Sequence, residues 1–289
     1  MSDEHSRNLV SLMKHKPKHR RRPNHRTAEW LAAGAGAVAM TAAVALPTAS
    51  ANAAPMAMAR LDTSQLTAKA TAATVAGYVA PSETLEYGAK GADVLALQHR
   101  LHNLHYWLKI TGVFDFDTQE AVYAFQAVNG LTMDGIVGPM TKRALVSPHT
   151  YKAQDPSVPT RIEVNISPKV EILAYYKDNQ LQLISHVSSA GGYHFCDSNG
   201  CQVAETPTGW YRANWFDPGW VKVPLGEMYN PVFFIGGDYA IHGDTAVPNY
   251  PASHGCIRIP DDLASVFHTY ITVGYKDGTR IHVYSRASV

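Results

Sequence analysis

Cys256 carries the most suggestive chemistry in this 289-residue chain. It lies in Ser253-His254-Gly255-Cys256-Ile257-Arg258, with polar neighbours and a glycine rather than the apolar flanks of an inert thiol. The chain has three cysteines. Cys196 and Cys201 are separated by Asp197-Ser198-Asn199-Gly200, four turn-forming residues, and can pair across that loop in an exported protein. Cys256 is then left over, and a free thiol in an oxidising compartment is a hazard unless it is buried or used. An ordinary thiol, with a pKa near ~8.5, is mostly protonated at neutral pH. A nucleophilic cysteine therefore needs a base, a group that orients the base, and donors for an oxyanion. Two histidines could be that base. His254 is two residues away, on the same face of an extended segment but not aligned towards the thiol. His242, in Ile241-His242-Gly243, ends an expected strand and could approach from a neighbouring one. Cys256, His242 and His254 could instead be three zinc ligands. These three residues have neither Cys-x-x-Cys nor His-x-x-x-His spacing, however, so no metal and no cofactor is expected.

The elements that must position these residues follow from the hydrophobic period. From about residue 160 the period is 2: Ile162, Val164 and Ile166 alternate with polar residues, as do Val170, Ile172 and Ala174, and then Leu181 and Leu183. Further short strands are expected at 209–213, 232–235, 239–241 and 280–284. One helix is expected with Pro260 at its first position, Asp261 and Asp262 in its first turn, and Leu263, Val266, Phe267 and Tyr270 on one face. Many short strands and one helix predict a mainly β sandwich or barrel. Upstream the period is helical. Val94, Leu97, Leu101 and Leu104 form one stripe. A second helix is expected to open at Asp117, in the cap role of Asp117-Thr118-Gln119-Glu120, and to end at Gly130. A third starts at Gly138-Pro139. Three helices in about sixty residues predict a small bundle. Ser147 to Thr160, with Pro148, Pro156 and Pro159, reads as a connector.

Two resemblances follow. The series Leu85, Gly88, Gly91, Val94, Leu97-Gln98, Leu101, Gly112, Thr118, Ala121-Val122, Phe125-Gln126, Asn129-Gly130-Leu131, Asp134-Gly135, Val137-Gly138, Thr141 and Leu145 resembles the peptidoglycan-binding module of many cell-wall enzymes. It implies binding of peptidoglycan, with Tyr106 and Trp107 as candidate sugar contacts. Thr206-Pro207-Thr208-Gly209, Ile241-His242-Gly243 and Ser253-His254-Gly255-Cys256-Ile257-Arg258 resemble the L,D-transpeptidase catalytic domain. That resemblance implies Cys256 as nucleophile, His242 as general base and the Gly243 carbonyl as the group that orients it. It implies the N–H groups of Gly255 and Cys256 as oxyanion hole. His254 and Ser253 would brace the loop, with Ser253 also at the substrate. Arg258 would face the donor peptide or anchor the loop. A thiolate–imidazolium pair is chemically reasonable, since each charge lowers the cost of the other. The implied reaction is attack on the third residue of a stem tetrapeptide, loss of D-alanine, and resolution of the thioester by an amine to give a 3→3 cross-link. Water in place of the amine gives an L,D-carboxypeptidase, and a silent catalytic domain gives a binding protein. Acylation by carbapenem-type inhibitors is also implied. Trp210, Trp215, Phe216, Trp220 and Tyr229 could wall a cleft or pack loops over the sheet.

Charge and the N-terminus bound the setting. The formal charge is +1, but residues 1–30 hold 8 of the 25 Lys and Arg and 3 of the 24 Asp and Glu. The remainder, with 17 basic and 21 acidic residues, stands at −4. That body offers no electrostatic footprint for nucleic acid. Basic residues from Lys14 to Arg26, an uncharged Ala/Gly-rich run from Trp30 to Leu46 and an Ala-x-Ala site read as a secretory signal peptide cleaved after Ala51 or Ala53. The same run could remain as an uncleaved membrane anchor, and membrane contact is expected only then. The expected plan is multidomain: 1–53 export signal, 54–84 Ala/Thr-rich linker, 85–146 helical peptidoglycan-binding module, 147–159 connector and 160–285 catalytic domain. The expected location is outside the cell, at the wall.

Overall fold

The computed structural model describes residues 78–197 and 200–287. The export signal and nearly all of the linker expected from the sequence lie outside the described residues. Among the described residues no helix is long and apolar enough to cross a membrane.

The helical part comprises α1 (Ala92–Asn103), α2 (Phe116–Val128) and α3 (Pro139–Val146). In α1, Val94, Leu97 and Leu101 are buried and meet Ala121, Phe125 and Val128 of α2. The N-cap of α2 is Asp115, not Asp117: its side chain accepts from the Thr118 amide at 3.0 Å. Asp117 instead lies inside the first turn, 5% exposed. Gly130, with φ +65°, follows the C-cap as expected. Two buried glutamines hold the loops. Gln98 binds Thr111, Gly112, Val113 and Thr118, and Gln126 binds Asp134, Gly135, Ile136 and Thr141.

The β part is a sandwich. One sheet has the order β3-β2-β1-β12-β6, from β1 (Arg161–Asn165), β2 (Ile172–Lys177), β3 (Gln180–His186), β6 (Gly209–Arg212) and β12 (Arg280–Tyr284). The other has the order β11-β10-β9-β7, from β7 (Trp215–Phe216), β9 (Gly226–Ile235), β10 (Tyr239–Asp244) and β11 (Ile257–Pro260), with β8 (Trp220–Val223) also on β9. A hairpin of β4 (His194–Asp197) and β5 (Gly200–Val203) stands apart. Ile162, Val164, Leu173 and Tyr175 meet Val232, Phe234, Ile241, Ile257 and Ile259 between the sheets, and α4 (Asp261–Tyr270) closes this core with Leu263 and Phe267. Pro260 caps α4 rather than opening it.

The first sheet is covered on both faces. Ile172, Ala174 and Tyr176 of β2 point away from the sandwich and join one apolar cluster with Leu97, Leu101 and Phe125 of the bundle. The polar alternation expected at Ile172 and Ala174 is therefore not kept: Leu173 lies between them, and β2 reads Ile-Leu-Ala-Tyr-Tyr because both of its faces are covered. The edge of β3 is covered too. The Trp107 amide donates to the Ile184 carbonyl (2.9 Å) and the Ile184 amide to the His105 carbonyl (2.7 Å). Tyr106 and Trp107 therefore serve the junction. Tyr106 is 3% exposed and packs edge-on to Phe125, and Trp107 is partly buried against the sandwich core. Neither is the exposed sugar platform that the sequence suggested. His186 Nδ1 lies 2.6 Å from the Glu120 carboxylate across the junction, both side chains buried.

Candidate active site

β10 and β11 run parallel, with Ile241 opposite Ile257 and His242 opposite Arg258. One residue back, Ala240 lies beside Cys256. Side chains alternate along a strand, so Ile241 and Ile257 enter the sandwich core, while Ala240 and His242 share the other face. Cys256 packs on that face with Met228, Phe233 and Ala240. The fold thus brings Cys256 and His242 to one side of one strand pair, from fourteen positions apart in sequence.

His242 is 4% exposed, and its Nδ1 lies 2.8 Å from the Gly243 carbonyl. A carbonyl only accepts, so the ring proton is on Nδ1 and Nε2 keeps its lone pair. Burial lowers the imidazole pKa from 6.5, against the Gly243 hydrogen bond and the Asp244 charge, which raise it. The ring is therefore neutral at pH 7, in the tautomer a general base needs. Gly243 is the residue this approach allows, because a Cβ there would stand 2.7 Å from both the Ala264 Cβ and the Asp261 Oδ1.

The Cys256 sulfur does not meet His242 in this conformation. It contacts the Met228 Sδ at 3.9 Å and the Asp238 carbonyl at 3.8 Å. Burial of the thiol pushes its pKa up to about 11, against an Ala240 backbone hydrogen bond and the Arg258 charge. The resting pair is accordingly a neutral thiol and a neutral imidazole, not the ion pair reasoned from sequence.

The turn that carries Cys256 is held by its own neighbours. The Ser253 hydroxyl donates to the Cys256 carbonyl (2.5 Å) and accepts from the Gly255 amide (3.1 Å). Ser253 is 2% exposed, so its hydroxyl serves the turn and not a substrate. The Gly255 N–H is likewise occupied, which removes it from the expected oxyanion hole in this conformation. The Cys256 N–H takes no part in the turn's side-chain bonds. A Cβ on Gly255 would lie 2.7 Å from the Tyr239 ring and 3.2 Å from the Glu205 carbonyl, so only glycine fits. Thr206, the first residue of Thr206-Pro207-Thr208-Gly209, donates to the Gly255 carbonyl (2.8 Å) and accepts from the Ala190 amide (3.0 Å). The sequence marks that motif but gives no sign of this role.

His254 points elsewhere, edge-on to Tyr193 and Phe195 at 5.4 and 4.7 Å between ring centres. It fixes the β4–β5 hairpin against the turn. Cys196 and Cys201 face each other across that hairpin and are joined by a disulfide, leaving Cys256 free. Arg258 lies 3.2 Å from the Asp244 carboxylate and 3.5 Å from the Ala246 carbonyl, anchoring the segment between His242 and Ser253. Of the aromatic residues ahead of the motif, Trp210, Trp215 and Phe216 stack on His282, Phe233 and His268. Trp220 is 56% exposed, with Tyr229 beside it at 5.1 Å. Among the described residues no group of three or more His, Cys, Asp or Glu side chains is placed to hold a metal ion.

A β-sandwich with a free thiol and an oriented imidazole on one strand pair, fused to a three-helix bundle, has clear relatives. Residues 159–283 match the family model of the L,D-transpeptidase catalytic domain, and residues 90–145 match that of the putative peptidoglycan binding domain. A solved L,D-transpeptidase from Xylanimonas cellulosilytica is 33% identical, covering 71% of this chain and 98% of that one, with a TM-score of 0.63. The spore cortex-lytic enzyme of Bacillus cereus is 41% identical over 71 residues, and that of Oceanobacillus iheyensis 39% over 75. Each match spans 27% of the relative's length, about a quarter of it. The chain belongs to the L,D-transpeptidase family and carries a peptidoglycan-binding domain ahead of its catalytic domain. Both domains are of the kind that acts at the peptidoglycan cell wall.

Proposed function

We propose that this protein is an exported, wall-located L,D-transpeptidase that forms 3→3 cross-links through a Cys256 thioester. The observation that carries the reading is the placement of Cys256 and His242 on one face of β10 and β11, with the Nδ1 proton held by the Gly243 carbonyl. In the first step the sulfur swings away from Met228 and attacks the carbonyl of the third stem residue. Its proton passes to the His242 Nε2. The tetrahedral intermediate collapses, the carbon–nitrogen bond to D-alanine breaks, and His242 returns the proton to the leaving amine. In the second step an amine of a neighbouring stem attacks the thioester carbonyl and gives a proton to His242; the new amide forms as the carbon–sulfur bond breaks, and His242 returns the proton to the Cys256 sulfur. The Cys256 amide is the remaining donor of the pair first assigned to the oxyanion; Gly255 would need to release Ser253 to join it. His254, Ser253 and Arg258 act by positioning. No metal or cofactor enters these steps, and the bundle's part is to bind peptidoglycan.

The test is incubation of purified protein with a disaccharide-tetrapeptide, followed by mass spectrometry. A cross-linked dimer and free D-alanine, both lost in Cys256→Ala, are expected. A tripeptide without dimer makes water the acceptor and the protein an L,D-carboxypeptidase. An unchanged substrate overturns the reading. A carbapenem should give a covalent adduct on Cys256 in the same preparation.

A further inference from the structure

Glu171 lies outside the reacting groups, yet the fold holds it at a high cost. It is fully buried and has φ +40°, left-handed backbone at a residue that is not glycine. Such a conformation is strained and persists only where its surroundings enforce it. Among the described residues no lysine or arginine pairs with its carboxylate. Instead the carboxylate accepts from the Ser189 amide (2.6 Å) and the Ser189 hydroxyl (2.7 Å). The Ser189 carbonyl in turn receives the amides of Ala252 (2.9 Å) and Ser253 (2.8 Å), which lead into the Cys256 turn. The Gly191 amide donates to the Ser253 carbonyl, and Ser188 exchanges both backbone bonds with Arg258. Residues 188–191 are therefore the segment on which the turn hangs, and Glu171 holds that segment through Ser189.

We propose that ionised Glu171 is a positioning residue for Cys256, clamping Ser189 so that its carbonyl holds the 252–253 amides, and that protonation of Glu171 loosens the turn and slows acylation. This rests on the reading of Cys256 as nucleophile. The ionised carboxylate accepts both Ser189 hydrogens, and such charge-assisted bonds are roughly twice as strong as neutral ones. The protonated acid must donate one hydrogen itself, so the Ser189 hydroxyl has to turn round and one of the two bonds reverses. Burial raises the carboxyl pKa to about 7, while the two Ser189 bonds and His186 pull it down. His186, at the end of β3, is the titratable group facing Glu171, and it is itself bound to Glu120 of α2. Lys169, two residues away, is exposed. The switch therefore falls near neutral pH, whereas titration of His242 is displaced to lower pH.

The test follows acylation of the full chain by a carbapenem from about pH 5 to pH 9, in wild type, Glu171→Gln and Ser189→Ala. Wild type should show an acid limb with its midpoint near 7. Glu171→Gln, a fixed mimic of the protonated acid, should run at the wild type's acid-side rate and lose that limb, keeping only the lower one. Ser189→Ala withdraws one bond from the carboxylate and should move the midpoint upwards, and it carries the test if Glu171→Gln fails to fold. A Glu171→Gln profile that keeps the limb near 7, or a midpoint unmoved in Ser189→Ala, overturns the proposal for Glu171 alone. Failure of wild type to acylate at any pH overturns the assignment of Cys256, and this proposal with it.

Discussion

Truncating Met228 to alanine should lower the pKa of the Cys256 thiol. The Met228 side chain is 4% exposed and its sulfur touches the Cys256 sulfur at 3.9 Å, so it keeps water from one side of the half-buried thiol. With the thiol at about 11 and the imidazole below 6.5, proton transfer from one to the other costs at least ~6 kcal/mol at 1.36 kcal/mol per unit. Attraction between the resulting charges would return at most about 4 kcal/mol, and that only if the two groups were brought to ~4 Å in an effective dielectric near 20. The neutral pair therefore wins. At pH 7 the thiolate fraction is ~0.01%, against ~3% for an ordinary cysteine, a ratio of about 300. A more basic thiolate is a better nucleophile, which recovers a factor of ~10–20 and leaves Cys256 alkylating roughly 20-fold slower than a free cysteine. The assay is iodoacetamide labelling of Cys256 between about pH 6 and pH 10, read by peptide mass spectrometry. The wild-type rate should climb about tenfold per pH unit without a plateau. Met228→Ala should shift the apparent pKa down from about 11 towards the ordinary thiol range. The pKa and not the rate is decisive, because removing Met228 also widens access. A wild-type rate that is flat from about pH 6 to pH 8 would show a preformed ion pair and refute this argument.

Gly255→Ala should abolish transfer and reduce stability by about 1–3 kcal/mol, the usual penalty of overpacking, as measured by urea unfolding. Shortening Tyr239 to leucine in the same chain should restore part of that stability, since the Tyr239 ring is the nearest obstacle at 2.7 Å. Tyr106→Ala should destabilise the folded chain by roughly 3–5 kcal/mol, as loss of a buried aromatic does, while the protein that remains folded still sediments with cell-wall sacculi. Loss of sedimentation without loss of stability would return Tyr106 to the role of a sugar contact. Asp117 is held protonated mainly by burial and next by Asp262, which raise its pKa from 3.8 to about 7. Its folded pKa lies above its unfolded one, so this contribution to stability is complete below pH 3.8 and is lost as pH rises through about 7. Asp117→Asn should thus match wild type near pH 4 and exceed it near pH 8 in urea midpoint.

The candidate site residues were legible from local patterns. Ser253, His254, Gly255 and Cys256 form a single turn, and His242 ends a strand whose alternation is plain. The sandwich was legible wherever one face alone is apolar, as at Ile162 and Val164. Legibility ends where contacts are distant. Ile172, Ala174 and Tyr176 face the bundle while Leu173 and Tyr175 face the other sheet, and a run apolar on both sides does not say what covers each. Asp115 and Asp117 are both acceptable caps, and only Asp115 has its carboxylate at the Thr118 amide. Tyr106 and Trp107 looked exposed because their partner, Ile184, lies some eighty positions later. Glu171 and Met228 carry no motif at all; their positions matter only through Ser189 and Cys256.

The junction changes how the bundle can contribute. Pro148, Pro156 and Pro159 mark a connector, and if such a connector were a loose tether the benefit of a binding module would be a raised local concentration of substrate. In the fold, however, Tyr151 is buried at 4% exposure and the Glu163 carboxylate binds the amides of Gln154 and Asp155. Segment 105–107 adds to the sheet at β3, Glu120 meets His186, and the Asn249 side chain donates to the Met133 carbonyl at 2.6 Å. Asn249 lies on the segment between His242 and Cys256, so one end of the proposed active site rests on the bundle. A tether averages over many placements of the substrate, whereas a docked bundle fixes one. On the proposed function, the bundle then selects stems at a set span from Cys256, and disrupting Glu120–His186 should lower transfer to polymeric peptidoglycan more than acylation by a small carbapenem. Equal losses on both substrates would mean that the junction supports folding and does not set the span.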